Sequence, residues 1–268
     1  MCWFMDAAAP MTKTVEDCAI VLGAIAGYDE RDPYTSRRPV PNYTEALGKG
    51  VEGLRVGLIR ELHQSPDMHP EVRESMEFAL DVFRGLGAEI KEVSIPLVEL
   101  AGAIFVGVAD TEGAGARDEI LRTRADELDP ASRTRLLSAS LVPFKVYNRA
   151  AKARVLLRRQ FMAALEDVDV LVSPTSPYPA PLHKDLTARF ESADDVRRRF
   201  FFRRAYTGCY SLTALPAISI PGGFTSDGLP IGLQLGARPF AEETLFQAAN
   251  AYEQTTTWHT RIAPAAQA

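Results

Sequence analysis

Apolar residues follow two periodicities along this chain, and the switches between them mark its elements. Thr14 to Asp17 form a T-x-x-D helix start. Val15, Cys18, Ala19, Leu22 and Ile25 then share one helical face, and Gly27 stands where a left-handed C-cap is expected. Residues 29–53 are polar and rich in Pro, Gly and Arg, which predicts a long surface connection. Arg55 to Ile59 (RVGLI) reads as a short buried strand. Pro70 opens a helix whose inward face is Val72, Met76, Ala79, Leu80, Phe83 and Leu86, with Gly87 as its stop. Ala88 to Ile95 is a second strand, with Ile90 inward. Strand, helix and strand with short joints give the βαβ rhythm of an α/β layer.

Residues 98–128 predict helix on a weaker period, broken at Asp129-Pro130. From Pro143 to Leu165 a long helix is expected. Tyr147, Ala150, Leu157, Phe161 and Leu165 form its apolar side; Arg149, Lys152, Arg158 and Arg159 form its basic side. Asp169 to Ser173 (DVLVS) is apolar on both faces, as in the middle of a sheet, and runs into the proline-stiffened loop 174–181. Residues 190–204 are polar and arginine-rich. In 216–235, PAISIPGGFTSDGLPIGLQL, Ile218 and Ile220 alternate with small or polar residues, as do Ile231, Leu233 and Leu235. Asp227-Gly228 lies between these runs, a hairpin signal. Glu242 and Glu243 start a last helix with Leu245, Phe246, Ala249 and Tyr252 inward. The class is α/β, a mixed β-sheet flanked by helices.

Composition narrows the function. A formal charge of −5 over 268 residues disfavours nucleic acid as the partner, because phosphate binding needs a basic footprint. Cys2, Cys18 and Cys209 are scattered and odd in number, so neither a disulfide framework nor a C-x-x-C metal site is indicated. The most apolar run, 97–109, is too short to span a bilayer, and no secretory signal opens the sequence. A cytoplasmic setting is expected, with no membrane partner.

Candidate chemistry is sparse. There is no G-x-S-x-G elbow. His63, His69, His183 and His259 lie in polar contexts without metal-ligand spacing, so no metal is expected. Gly113 and Gly115 make a lone G-x-G inside a helix, a weak dinucleotide signal, and no cofactor is expected. Gly222-Gly223 read equally as an anion-binding nest or as a turn after Pro221. Arg197, Arg198, Arg199, Arg203 and Arg204 follow Glu191, Asp194 and Asp195, the pattern of a solvated, charge-balanced helix face.

Several segments, taken in order, resemble the amidase signature family. Asp6 with Pro10-Met11-Thr12-Lys13-Thr14-Val15-Glu16-Asp17 is similar to its S-L-D-x-x-G-P-M-x-R-T-V-x-D segment. Residues 24–33 resemble A-I-A-G-x-D-x-x-D-P, and 170–177 (VLVSPTSP) resemble V-L-V-x-P-T-x-P. Residues 216–235 resemble the family's L-P-A-I-S-x-P-x-G-x-x-x-x-G-L-P-I-G-x-Q-L segment, and 240–245 resemble its last helix start.

The resemblance implies a large mixed sheet between helices and hydrolysis of a carboxylic amide C–N bond by a serine, a bridging serine on a cis peptide and a lysine. Those groups lie in a lysine-bearing strand and a Gly-Gly-Ser-Ser-Gly-Gly stretch, and no Ser-Ser-Gly-Gly occurs in these 268 residues. No catalytic residue is therefore assigned. Residues 1–268 are expected to be the C-terminal portion of a single amidase domain, incomplete on its N-terminal side. They would supply sheet, pocket wall and a homodimer surface, and a small-molecule amide would bind once the catalytic half is present.

By the same resemblance Thr175 and Ser176, leaving a central strand, are substrate-binding candidates, with turn capping as the alternative. Ser211 stands where the family commonly has asparagine, and Arg135 corresponds to an arginine in the R-R-I segment of the family's amidotransferase A-subunit branch. Another branch, the A subunit of the tRNA-dependent glutamine amidotransferase, places an acidic residue where Arg204 stands here, and its Y-D-G-x-R-Y-G segment is missing from 110–135. A general amidase is the favoured reading. The A-subunit-like component and a non-catalytic scaffold or degenerate fragment are the alternatives.

Overall fold

The computed structural model describes residues 5–183 and 189–263. Among these, five strands form one mixed sheet: β1 (Arg55–Ile59), β2 (Glu89–Val93), β3 (Val170–Pro174), β4 (Ala217–Phe224) and β5 (Pro230–Gly236), in the order β2-β1-β3-β5-β4. β1 runs parallel to β2 and β3, with Val56 opposite both Ile90 and Val170. β5 is antiparallel to β3 and β4. The continuous apolar runs follow from burial on both faces: Val56, Leu58, Val170 and Val172 enter one core, and Ile59 and Leu171 the other.

Longer helices cover these faces: α1 (Val15–Ile25), α2 (Pro70–Gly85), α3 (Pro130–Ser140), α4 (Phe144–Asp167), α5 (Arg203–Thr213) and α6 (Glu242–Thr255). α1, α2 and α6 cover one face through Val15, Ala19, Met76, Leu80, Phe83, Leu245 and Tyr252. α4 and α5 cover the other through Leu157, Phe161, Leu165, Tyr206 and Leu212. Burying each Leu or Phe of this set contributes roughly 1.5–3 kcal/mol, so the period-3.6 stripes dock as written in the sequence. At the head of the parallel pair Arg55 forks onto Asp169 (Nη2 to Oδ1 2.7 Å, Nε to Oδ2 3.1 Å), and the Arg55 amide donates to the same carboxylate.

Some expectations change. α1 ends at Ile25 with an extended Ala26 as its cap, so Gly27 is not the left-handed cap residue. Gly87 does take that role after α2, at φ +85°. The helical stretch 98–128 is broken into a 3-10 turn (Pro96–Leu100), a helix (Ala101–Phe105), a π-helical turn (Val106–Asp110) and two further short helices. Glycines lower its helix propensity, and packing decides its course instead. The arginine-rich segment is helical, as its charge pattern predicts, but not as one regular α-helix: Ser192 caps Ala193–Val196, and a π-helical turn (Arg197–Phe202) leads into α5. Its arginines pair with Asp67, Asp194 and Asp195, which agrees with a charge-balanced surface.

Arg158 is not on a solvated basic side of α4. Its guanidinium donates to the Thr213 and Ala214 carbonyls, and Arg154 Nε donates to Leu212 O at 2.7 Å. Two cations thus satisfy the open carbonyl end of α5, where the helix dipole favours positive charge.

Candidate functional site

β3 delivers its C-terminal residues to the junction with β5 and β4. Pro174 is the last paired residue, and the next amide, Thr175, donates to Gly232 O at 2.8 Å. The Thr175 side chain then turns toward β4, where its Oγ1 lies 2.6 Å from Ser219 Oγ. Gly232 lies beside this contact. A Cβ there would sit 2.7 Å from Thr175 Oγ1 and 3.2 Å from Ser219 Oγ, so any side chain would displace the hydroxyl pair. The close approach at Gly232 is therefore made by two side chains rather than by a neighbouring backbone.

Behind the pair, Ser173 and Gln234 are buried on neighbouring strands. Gln234 Nε2 donates to Ser173 Oγ (3.2 Å) and to Tyr206 O (3.0 Å), tying the sheet to α5. Gln234 lies on the face opposite Leu233 and Leu235, as its alternation predicts. Burial in the same layer pushes the Tyr206 and Tyr210 phenols well above their ordinary range. Neither phenol is suited to act as a base at neutral pH.

Ser176 forms a local turn: its Oγ donates to Tyr178 O at 2.8 Å and accepts from Tyr178 N at 3.3 Å. The loop is pinned to the start of α2 by His69 N donating to Pro177 O at 2.9 Å. Backbone bonds at Thr175 and Pro177 fasten the start of this proline-stiffened loop and fix Thr175, as a positioning group requires. Ser211 stands in the last turn of α5, half-buried, and its hydroxyl makes no hydrogen bond among the described residues. Arg135 lies apart from these hydroxyls, on α3, where its Nη1 meets Asp110 Oδ1 at 3.0 Å. Asp110 closes the π-helical turn and is buried.

The sequence reading missed Ser219 and Asp110. Ser219 was legible only as an exposed position alternating with Ile218 and Ile220, and Asp110 is an acidic residue in an otherwise apolar run. Gly222 and Gly223 sit neither in a turn nor in an open nest. They belong to β4, at a bulge between Pro221 and Gly223, where Ser75 Oγ and Tyr252 OH both donate to Gly222 O. The hairpin turn lies beyond, with Thr225 N donating to Leu229 O and Gly228 at φ +81°. Among the described residues no group of three or more His, Cys, Asp and Glu could hold a metal ion, and no helix is long and apolar enough to cross a membrane.

The arrangement is a rigid hydroxyl-lined edge that can donate and accept hydrogen bonds but has no activated nucleophile within it. Comparison with known proteins gives this edge a context. A family model described as amidase matches residues 2–246. An amidase of Pseudomonas putida is 34% identical over 259 residues, covering 97% of this chain and 55% of its own length. The A subunit of a glutamyl-tRNA(Gln) amidotransferase from Roseiflexus sp. (strain RS-1) is 36% identical, covering 96% of this chain and 56% of its own. The crystal structure of the corresponding A subunit from Thermotoga maritima superposes with a TM-score of 0.75 at 27% identity, covering 92% of this chain and 52% of that one. The chain thus spans just over half the length of the relatives it matches. On the extent of these matches and the shared mixed sheet, this chain belongs to the amidase signature family.

Proposed function

We propose that this chain forms the sheet and one wall of the acyl pocket of an amidase that hydrolyses the C–N bond of a small carboxylic amide. The observation that carries this reading is the Thr175–Ser219 hydroxyl pair, fixed at the end of β3 beside Gly232. A serine nucleophile with its bridging serine and lysine would come from another segment, since the residues that define that machinery do not occur among these 268. In the assembled enzyme the nucleophile attacks the amide carbonyl, an acyl-enzyme forms with loss of the amine, and water releases the acid. Thr175 and Ser176 would shape the acyl side of the site, with Ser211 and Arg135 as further contacts. The setting is cytoplasmic, and the enzyme works as a homodimer.

The test is complementation. Co-expression with the lysine- and Ser-Ser-Gly-Gly-bearing half of an amidase-family relative should yield ammonia release from simple amides that neither half gives alone. Turnover by the 268-residue chain alone would overturn the reading, as would a tight but inactive complex. A second reading, an A-subunit-like component of a tRNA-dependent amidotransferase, is favoured by the names of several relatives. It predicts glutamine as the amide hydrolysed by the complemented protein. Preference for other amides over glutamine would exclude it.

A further inference from the structure

Away from the hydroxyl edge, charge is unevenly placed along the chain. Residues 130–165 hold eight Lys and Arg and no Asp or Glu, in a chain whose formal charge is −5. Solvated helix faces ordinarily mix both signs, as the arginine-rich segment before α5 does. Three of the eight cations are used within the fold: Arg135 meets Asp110, and Arg154 and Arg158 cap α5. The other five, Arg133, Lys145, Arg149, Lys152 and Arg159, make no ion pair among the described residues.

Lys145, Arg149, Lys152 and Arg159 follow one another at helical spacing along α4, on the side opposite Leu157, Phe161 and Leu165, which enter the core. Phe144, Val155 and Leu156 share that outward side and are exposed. α3 adds Arg133, Leu137 and Leu141, spaced four apart on one side of that helix. Leu141 and Phe144 are 81% and 76% exposed and flank the turn between the two helices. That turn is held in place: Val142 N donates to Ala139 O, Val146 N to Pro143 O, and Tyr147 OH to Glu112. Single exposed apolar residues are ordinary, but two fixed at one tip with only cations beside them call for an apolar partner that is also anionic. An anionic lipid surface offers both in the right order, phosphates outside and acyl chains within. A nucleic acid offers phosphates too, but it stacks its bases on aromatic rings, and here Phe144 is accompanied by the aliphatic Leu137, Leu141, Val155 and Leu156.

We propose that the α3–α4 turn and the outward side of α4, with Leu141 and Phe144 inserted and Lys145, Arg149 and Lys152 at headgroup level, adsorb this protein to an anionic lipid surface. The long cationic side chains lay their stems along the interface and keep their charged ends among the phosphates. Adsorption needs no spanning helix, so it is compatible with the absence of one among the described residues, and it revises the expectation of no membrane partner. The surface is independent of the amidase reading, since none of its residues belongs to the hydroxyl edge.

The whole chain is mixed with vesicles of phosphatidylcholine alone, or of phosphatidylcholine and phosphatidylglycerol in equal parts, and bound protein is measured by flotation at low and high salt. Binding only to the mixed vesicles is expected, weakening as salt screens the cations. Leu141→Ser with Phe144→Ser, and separately Lys145→Gln with Arg149→Gln, should each weaken it about tenfold or more. All four side chains are exposed, so both double variants should melt as wild type does. Phe144→Trp should bind as wild type does, and its emission should shift to the blue on the mixed vesicles by more than that of wild type. No binding by wild type, equal binding to both kinds of vesicle, or double variants that bind as wild type does overturns the lipid surface. An emission shift no larger than that of wild type overturns insertion of the tip. Tighter binding to a single-stranded oligonucleotide than to the mixed vesicles, or a dimer in sedimentation that Phe144→Ser dissolves, would assign this face to nucleic acid or to a second copy and overturn the proposal.

Discussion

Gly102 is the point at which the fold tolerates least. Its helix presses on the backbone leading into α5, and a Cβ there would overlap the Phe201 carbonyl oxygen and stand 2.6 Å from its carbon. Ordinary carbon–carbon contacts lie at about 3.5–4.0 Å, so Gly102→Ala needs a shift of roughly 1 Å. The obstacle is main chain, which has no rotamer to change. The crossing is also locked nearby: a Cβ on Gly208 would meet the Phe105 ring at 3.0 Å, and one on Gly107 would meet Ala150 Cβ at 2.8 Å. Overpacking typically costs about 1–3 kcal/mol where side chains can yield, so a cost of about 3 kcal/mol is expected here. For a chain of this size that is a fall of about 6–12 °C in Tm. Gly115→Ala is the control, because nothing lies within 4 Å of its added Cβ and its φ is not positive. It should be neutral or stabilise by up to about 1 kcal/mol through helix propensity. Thermal and urea melts followed by circular dichroism measure both variants. Equal Tm values for Gly102→Ala and Gly115→Ala would refute the close crossing.

Leu245→Ala, at a buried position of α6 in the core shared with Ile220, Leu233 and Leu235, should cost about 2–5 kcal/mol in a urea melt. An unchanged midpoint would mean that α6 does not dock on the hairpin. The Arg55 fork holds the Asp169 carboxyl below its ordinary pKa, so the ionised form is favoured on folding. Its stabilisation is therefore present above the ordinary value of 3.8 and fades as pH falls through the lower folded value. Asp169→Asn should cost about 1–2 kcal/mol at pH 7, and the gap to wild type should close in acid; a gap that persists undiminished at the lowest accessible pH would contradict this. Thr175→Val removes one hydroxyl of the half-exposed pair, so stability should change by less than about 1 kcal/mol. In the complemented enzyme, amide turnover should fall at least about tenfold, and turnover equal to wild type would remove Thr175 from the pocket wall.

Most of the scaffold was legible because its signals are local. Apolar stripes on α1, α2, α4 and α6 and doubly apolar runs in β1 and β3 each record which faces are buried. The family segments were legible for the same reason, as contiguous residues. Helix was legible over 98–128 and in the arginine-rich run, but the π-helical turns at 106–110 and 197–202 were not, because glycines and charges weaken the period there and close packing between the two segments decides their course.

The site was readable only in part. Thr175 stood out at the end of a central strand, but nothing in its neighbourhood names Ser219, 44 residues away. Arg135 was visible singly, but nothing in its neighbourhood names its partner Asp110, 25 residues away. By itself the sequence determined the element order, the two buried faces and the family, since periodicity and local motifs depend on neighbours along the chain. The tertiary structure decided which hydroxyls meet at the strand ends and which arginines cap α5. Those outcomes depend on contacts between residues far apart in sequence, where no local pattern records the partner.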